Sequence, residues 1–412
     1  MQDLIDFADR KDVQQFLHSI LGEGEAPGFQ GVWVRRHKAF EAITAALKRR
    51  KLNSVDEDAD PYWRAPPWID RGAFPYWPSD PTPSLRLDEN DWGDAWRDYC
   101  ARIGAPENRE PFIVELRLKP GALNDRRFQQ RLEASLPKAP FFTSVEERPI
   151  PRLYASTNAP TTSGVAQGKS SPGSSIIEGG AFIRANSGKE GTLGGFFRHR
   201  GSSEIFGLTC AHLAQDGETI ELWDDASSSW IAIGQCVGAS SFATHATCGA
   251  NCYQQHTAID VDAALIKLKP GFSGAGTLRG LGAISEIVRG GAIPKRLHVV
   301  GGVSGHIEVE TNNFGIWNEF TVEPGVCQCF KDLIQLEPAV SRAPVHAKIA
   351  ALFAKMIQNK DSGSLVLADH AGGGYGACAM AIGGDGHFGY ATLLERTQGW
   401  ARTSKRLLLE AI

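Results

Sequence analysis

Between about residues 176 and 394, short apolar runs alternate with glycine-rich turns, and each run is too short for a long helix. Punctuation of this kind favours strands of a sandwich or barrel over a helical bundle. The whole chain points the same way: 45 glycines and 22 prolines among 412 residues suit turns and interrupt helices. Hydrophobic residues make up 42% of the chain, enough to build a buried core, and the net charge of −4 offers no basic field to nucleic acid. No run of ~18 apolar residues suggests a membrane span. The first residues, Met1-Gln2-Asp3-Leu4-Ile5-Asp6, are acidic early and lack the apolar stretch of a secretory signal. A cytoplasmic location with reduced thiols is therefore expected, since eight cysteines in so long a chain do not make a disulfide scaffold.

Five segments are expected. In residues 1–56, Leu4, Ile5, Phe7, Ala8, Val13, Phe16, Leu17, Ile20 and Leu21 recur near a 3.6-residue period up to Gly22, and a second helix is expected from His37 to Lys51. These helices read as a small adaptor-like module that docks an activating protein partner. Residues 57–110 are rich in tryptophan and proline and read as an ordered wrap. A β-α-β segment is expected over 111–154, and a Ser/Thr/Gly/Ala/Pro linker over 155–175. The β-rich domain then fills 176–412, closed by a helix from about Gln398 to Ile412.

Within that last segment lie three fragments that nucleophilic catalysis would need. Serine is a poor nucleophile until a base takes its proton, a third group orients the base, and fixed donors meet the developing oxyanion. Phe206-Gly207-Leu208-Thr209-Cys210-Ala211-His212 is an apolar strand ending at an imidazole among small residues. Val261-Asp262-Ala263-Ala264-Leu265-Ile266 places a carboxylate at the mouth of a buried strand, with Asp260 as the competing carboxylate. Asp361-Ser362-Gly363-Ser364-Leu365-Val366 makes a tight turn that projects Ser362, with the backbone amides of Lys360, Asp361 and Ser362 as oxyanion donors.

These fragments resemble the trypsin/chymotrypsin superfamily of serine peptidases. With Gly191-Thr192-Leu193-Gly194, they are more closely similar to bacterial intracellular trypsin-like peptidases that carry a Gly-Asp-Ser-Gly-Ser motif. The resemblance spans roughly residues 175–396. It implies a mainly β, chymotrypsin-like double barrel, with Ser362 as nucleophile, His212 as general base then acid, Asp262 as orienter, and Asp361 stabilising the loop. It implies no cofactor, and protein or peptide as substrate. Two features depart from the family pattern: Lys360 stands where the family has glycine, and Ile349, Leu352, Phe353 and Met356 form a helical face just before the nucleophile. Either fits a serine endopeptidase held inactive until a partner reorganises the loop, and either fits a pseudoprotease. The alternative is a catalytically inactive protease-fold scaffold that binds through its Trp/Pro-rich surface. Asp385 lies near the expected specificity wall, where a Gly-Asp-Gly turn explains it without a ligand. His245, Cys248, Cys252 and His256 have metal-like spacing; the competing reading is a loop that happens to hold two thiols and two imidazoles, and no metal is assigned.

Overall fold

The computed structural model describes residues 1–21, 28–41, 91–105, 109–136, 139, 141–153, 176–224, 227–241, 258–323, 325–339, 360–385 and 388–412. The N-terminal apolar pattern makes two helices instead of one, α1 (Gln2–Ala8) and α2 (Lys11–Leu21). A gap of five positions between Ala8 and Val13 breaks the 3.6-residue stripe, and at the break Arg10 donates to both oxygens of Asp12 at 3.0 and 2.6 Å. Next comes a strand not expected from the sequence, β1 (Phe29–Arg36), buried along most of its length. The expected helix from His37 is described only to residue 41, and the expected wrap only from residue 91 on, where α3 (Asp91–Arg102) forms. The expected linker lies outside the described residues.

The β-α-β expectation holds. β2 (Phe112–Leu118) and β3 (Phe142–Glu147) pair in parallel around α4 (Arg126–Ser135), whose first amides are capped by the Asp125 carboxylate. A two-residue strand, β4 (Arg152–Leu153), ends the N-terminal part.

Beyond it come β5 (Ile176–Gly179), β6 (Ala181–Ala185), β7 (Glu190–Leu193), β8 (Gly195–His199), β9 (Ile205–Thr209), β10 (Thr219–Asp224), β11 (Ser229–Ala239) and β12 (Ala264–Leu268). They are followed by β13 (Ser273–Leu278), β14 (Gly282–Ile287), β15 (Arg296–Gly301), β16 (Gly305–Glu310), β17 (Asn313–Glu323) and β18 (Val326–Pro338). The last are β19 (Leu365–Asp369), β20 (Tyr375–Gly384), β21 (Gly389–Leu393) and β22 (Leu409–Ala411). One sheet runs β22-β8-β9-β12-β11-β10-β6-β7; the second has fourteen strands and contains β1 to β5 together with β13 to β21. The molecule is mainly β, with sheets that curl into barrel-like arrangements, as expected. The closing helix is shorter than expected: α5 (Leu394–Ser404) stops, and β22 pairs antiparallel with β8, which gives the last backbone groups partners in the sheet.

The N-terminal segments are not a module set apart. β1 is inserted between β2 and β17. Leu4, Phe7, Leu17 and Val34 share one apolar cluster with Val366 and Ala379 of the second sheet. The apolar faces of α1 and α2 are thus spent on the chain's own core instead of a docking surface. Where β2 meets the sheet, the buried Arg117 guanidinium donates to Glu115 Oε1 at 2.7 Å, to Tyr390 Oη at 3.2 Å and to Gln335, and lies 4.2 Å over the Trp33 ring. A charge this deep is tolerated because its donors are matched. A shared core predicts shared melting: Leu17→Ala should cost about 2–5 kcal/mol, and calorimetry should show it lowering the temperature of one common transition. A separate early transition for the N-terminal helices would refute that.

Candidate active site

His212 and Asp262 meet because their strands are neighbours in a fixed antiparallel register. β9 pairs with β12 so that Thr209 faces Ala264. His212 follows the end of β9 by three positions and Asp262 precedes β12 by two, so both leave the sheet at one end. The imidazole Nδ1 lies 2.5 Å from Asp262 Oδ2, and the His212 backbone N–H donates to Asp262 Oδ1 at 3.0 Å. Both residues are buried. Asp260, the competing carboxylate, has no part in this pair; the sequence left the choice open because only one residue, Val261, separates it from Asp262.

Ser362 comes from the other sheet, three residues before β19. Its Oγ stands 3.0 Å from His212 Nε2 and donates to the Ile382 carbonyl at 2.8 Å. With Nδ1–H given to Asp262, the Nε2 lone pair faces the hydroxyl, the tautomer a general base requires. His212, Asp262 and Ser362 are therefore brought together as the sequence suggested.

The loop bearing Ser362 is fastened from several sides. The buried Asp361 carboxylate accepts from Val303 N at 3.0 Å and Ser304 N at 3.1 Å. Ser364 N donates back to the Asp361 carbonyl at 3.0 Å, closing the turn. Lys360 adopts φ +82°, the left-handed region that glycine reaches freely and other residues rarely do. Its ammonium pairs with Glu190 at 2.6 Å. Gly363, at φ +95°, has no room for a Cβ, which would come within 2.2 Å of the Thr192 carbonyl.

Thr192, quoted from the sequence only as part of Gly191-Thr192-Leu193-Gly194, holds the Ser362 loop in place. Its backbone N–H donates to the Ser362 carbonyl at 2.8 Å, and its Oγ1 donates to the Lys360 carbonyl at 3.2 Å. That Oγ1 also accepts from Gly302 N at 2.8 Å, while Thr209 Oγ1 donates to the Thr192 carbonyl at 2.7 Å. One residue of the first sheet thus holds the nucleophile loop, a neighbouring loop and the end of the histidine strand.

The thiols divide into two groups. Cys210, His212 and Asp262 have potential ligand atoms within 4.8 Å of one another. Yet His212 Nδ1 is engaged with Asp262, and burial, reinforced by the Asp262 charge, pushes the Cys210 thiol well up, so it stays a neutral donor to the Ala381 carbonyl. The trio suits proton transfer better than metal binding. Cys327 and Cys329 on β18 are disulfide-bonded, which corrects the expectation of reduced thiols throughout. Beside them, Ile259 donates its N–H to the Cys329 carbonyl at 2.9 Å, so the segment leading into Asp262 is laid against β18.

His245, Cys248, Cys252 and His256 lie outside the described residues, as does the expected helical run before Lys360. Asp385 behaves as a turn residue: its carboxylate accepts from Phe388 N and Tyr390 Oη, each at 2.8 Å.

No family model matches the chain, and no curated protein does. Among solved structures it is similar to a glutamic-acid-specific serine protease that uses a histidine triad in substrate binding: 12% identity, TM-score 0.36, covering 57% of this chain and 100% of that one. It is similar to the Nocardiopsis protease NAPase at 14% identity and TM-score 0.33, covering 57% and 98%. A third is the M. tuberculosis protease Rv3671c in an inactive form, at 13% identity and TM-score 0.29, covering 54% and 88%. Likeness at this level leaves function to be read from the chain's own site.

Asp361 offers a test of the loop apart from the triad. Asp361→Ala would remove the acceptor of two part-buried N–H donors, Val303 and Ser304, at about 1–3 kcal/mol in total. Denaturant unfolding should show that loss, and the reactivity of Ser362 should fall although His212 and Asp262 are intact. Unchanged stability would mean the Asp361 carboxylate is not what fastens the loop.

Proposed function

We propose that this chain is a serine endopeptidase. The observation that carries the proposal is the relay Asp262 Oδ2–His212 Nδ1 at 2.5 Å and His212 Nε2–Ser362 Oγ at 3.0 Å, on a loop tied to both sheets. In this reading Ser362 Oγ attacks a peptide carbonyl while His212 Nε2 takes its proton, and Asp262 steadies the imidazolium. His212 then protonates the leaving amine. Water, deprotonated by His212, cleaves the ester, and Ser362 is restored. The N–H groups of the turn, from Lys360, Asp361 and Ser362, supply the oxyanion donors. The positive φ of Lys360 supports this, because a lysine that reaches glycine's conformation lets the turn keep its shape.

The inactive-scaffold alternative has one observation in its favour. Ser362 is fully buried, and its single hydroxyl proton has a second acceptor in the Ile382 carbonyl. A resting site that must open before use accounts for both facts, so the peptidase reading stands. Disulfide bonding at Cys327 and Cys329 favours an oxidising compartment over the cytoplasm expected from the N-terminal sequence. Among the described residues no helix is long and apolar enough to cross a membrane.

A fluorophosphonate probe tests the assignment. It should label Ser362 covalently, with no labelling in Ser362→Ala and a drop of about 10⁴-fold in rate for Asp262→Asn. If the chain neither takes the probe nor breaks any peptide bond in a Ser362-dependent way, the peptidase reading is wrong.

A further inference from the structure

Lys360 is held at both its ammonium and its carbonyl by one strand. In the β6–β7 ladder Phe182 faces Thr192 and Arg184 faces Glu190, so these four side chains share a face. Lys360 lies on that face. Its ammonium is 2.6 Å from Glu190 Oε2 and 5.9 Å from the centre of the Phe182 ring. Its carbonyl accepts from Thr192 Oγ1 at 3.2 Å. The side chains of the ion pair are only 21% and 15% exposed, so salt and water weaken the attraction less than on an open surface. The neighbouring cations are committed elsewhere. Arg184 gives its Nε–H to Glu221 at 2.9 Å, and Lys189 donates to the His212 carbonyl at 3.0 Å. The buried Glu190 Oε2 has no hydrogen-bond partner among the described residues, so its contact with Lys360 is ionic, without hydrogen-bond alignment.

Together these contacts restrain the Lys360 amide. An L-residue seldom adopts a φ of +82°, so the conformation needs support from outside the residue. The carbonyl carbon, the Cβ and the backbone nitrogen stand around Cα in a fixed handed order. Thr192 restrains the direction of the carbonyl, and Glu190 restrains that of the side chain. The place of the nitrogen follows from the other two. That nitrogen carries one of the N–H groups that the peptidase reading assigns to the oxyanion.

We propose that Glu190 is a positioning residue for the oxyanion site, acting through its ion pair with Lys360 to hold that lysine's backbone N–H in place. This rests on the peptidase reading above. Glu190 acts at one remove, through the lysine side chain, and takes no part in the relay of Asp262, His212 and Ser362. A glycine would reach the same φ unaided but would offer no side chain to hold. With lysine, the conformation of the turn depends on a charge supplied by the other sheet. β7 lies in the sheet that also carries β9, the strand leading to His212. The general base and the restraint on the oxyanion donor are thus referred to one sheet, while the nucleophile arrives from the second.

Purified full-length protein and the fluorophosphonate probe test this, because the probe's phosphoryl oxygen calls on the same N–H donors. Labelling of Ser362 is followed over a range of probe concentrations, which separates the maximal rate from the half-saturating concentration. Glu190→Gln keeps the shape of the side chain and removes its charge. It should lower the maximal rate about tenfold, the weight of one disfavoured backbone conformation, and leave half-saturation unchanged. Lys360→Met breaks the pair from the other side and should give the same loss, with no greater loss in the double variant. In a Lys360→Gly background, whatever its own rate, Glu190→Gln should have no further effect. Labelling of Glu190→Gln at the wild-type rate overturns the proposal and leaves the peptidase reading standing. So does an equal loss with and without Lys360→Gly, which would make Glu190 a packing residue only. A wild-type chain that takes no probe overturns both.

Discussion

The Asp262 carboxylate is wholly buried, and the rest of the site follows from how that charge is accommodated. A carboxylate taken out of water without partners would cost several kcal/mol or would have to pick up a proton. Here both oxygens are used, one by the His212 backbone amide and one by the His212 ring. Backbone and side chain of the same residue are thus fixed by one acid, which leaves the imidazole little freedom to turn. The register of Thr209 with Ala264 makes this possible without any long loop reaching across. The opposite nitrogen then points out of the first sheet, and Ser362 has to arrive there from the second.

That arrival depends on the seam between sheets. Thr192 grips the Ser362 loop through its amide and its hydroxyl, and Gly363 permits the approach because a side chain there would collide with the Thr192 carbonyl. On the far side, Asp361 fastens the loop to the turn after β15. The placement of Ser362 is therefore a property of the interface and not of either sheet. The N-terminal segments belong to the same construction. β1 lengthens the second sheet past β17, and the buried Arg117 network joins β2 to β18 and β21. Folding of the described N-terminal elements and of the sheet that carries Ser362 is for this reason a single problem.

The triad was legible because each member sits in a contiguous stretch whose local chemistry is distinctive. A strand ends at His212, a strand begins after Asp262, and a tight turn holds Ser362. What escaped is what contiguous sequence does not encode. β1 is buried along most of its length, so it lacks the alternation that marks a half-exposed strand, and β4 has only two residues. The end of the chain was expected to be helical through Ile412, yet Leu409, Glu410 and Ala411 pair with β8, some two hundred residues earlier. Thr192 looks like any strand threonine until the second sheet is in place. Cys327 and Cys329 gave no sign of oxidation, since length and an acidic N-terminus speak only to averages.

β4 gives these omissions a common meaning. A two-residue strand cannot be stable alone, and this one persists because it lies between β17 and β20. The space it fills is set by Gly383, whose missing Cβ admits the Arg152 backbone, and by the bulge that turns Ile382 toward Ser362. Both features would serve an incoming peptide equally well, because both are backbone devices indifferent to side-chain identity. The burial of Ser362 and the second acceptor for its proton are then two aspects of one arrangement. Beyond Ile382 that edge of β20 is occupied by β4, and the Ser362 hydroxyl rests against the Ile382 carbonyl of β20 itself. Any peptide added along this edge of β20 would have to displace a segment anchored by Leu153 and Pro151.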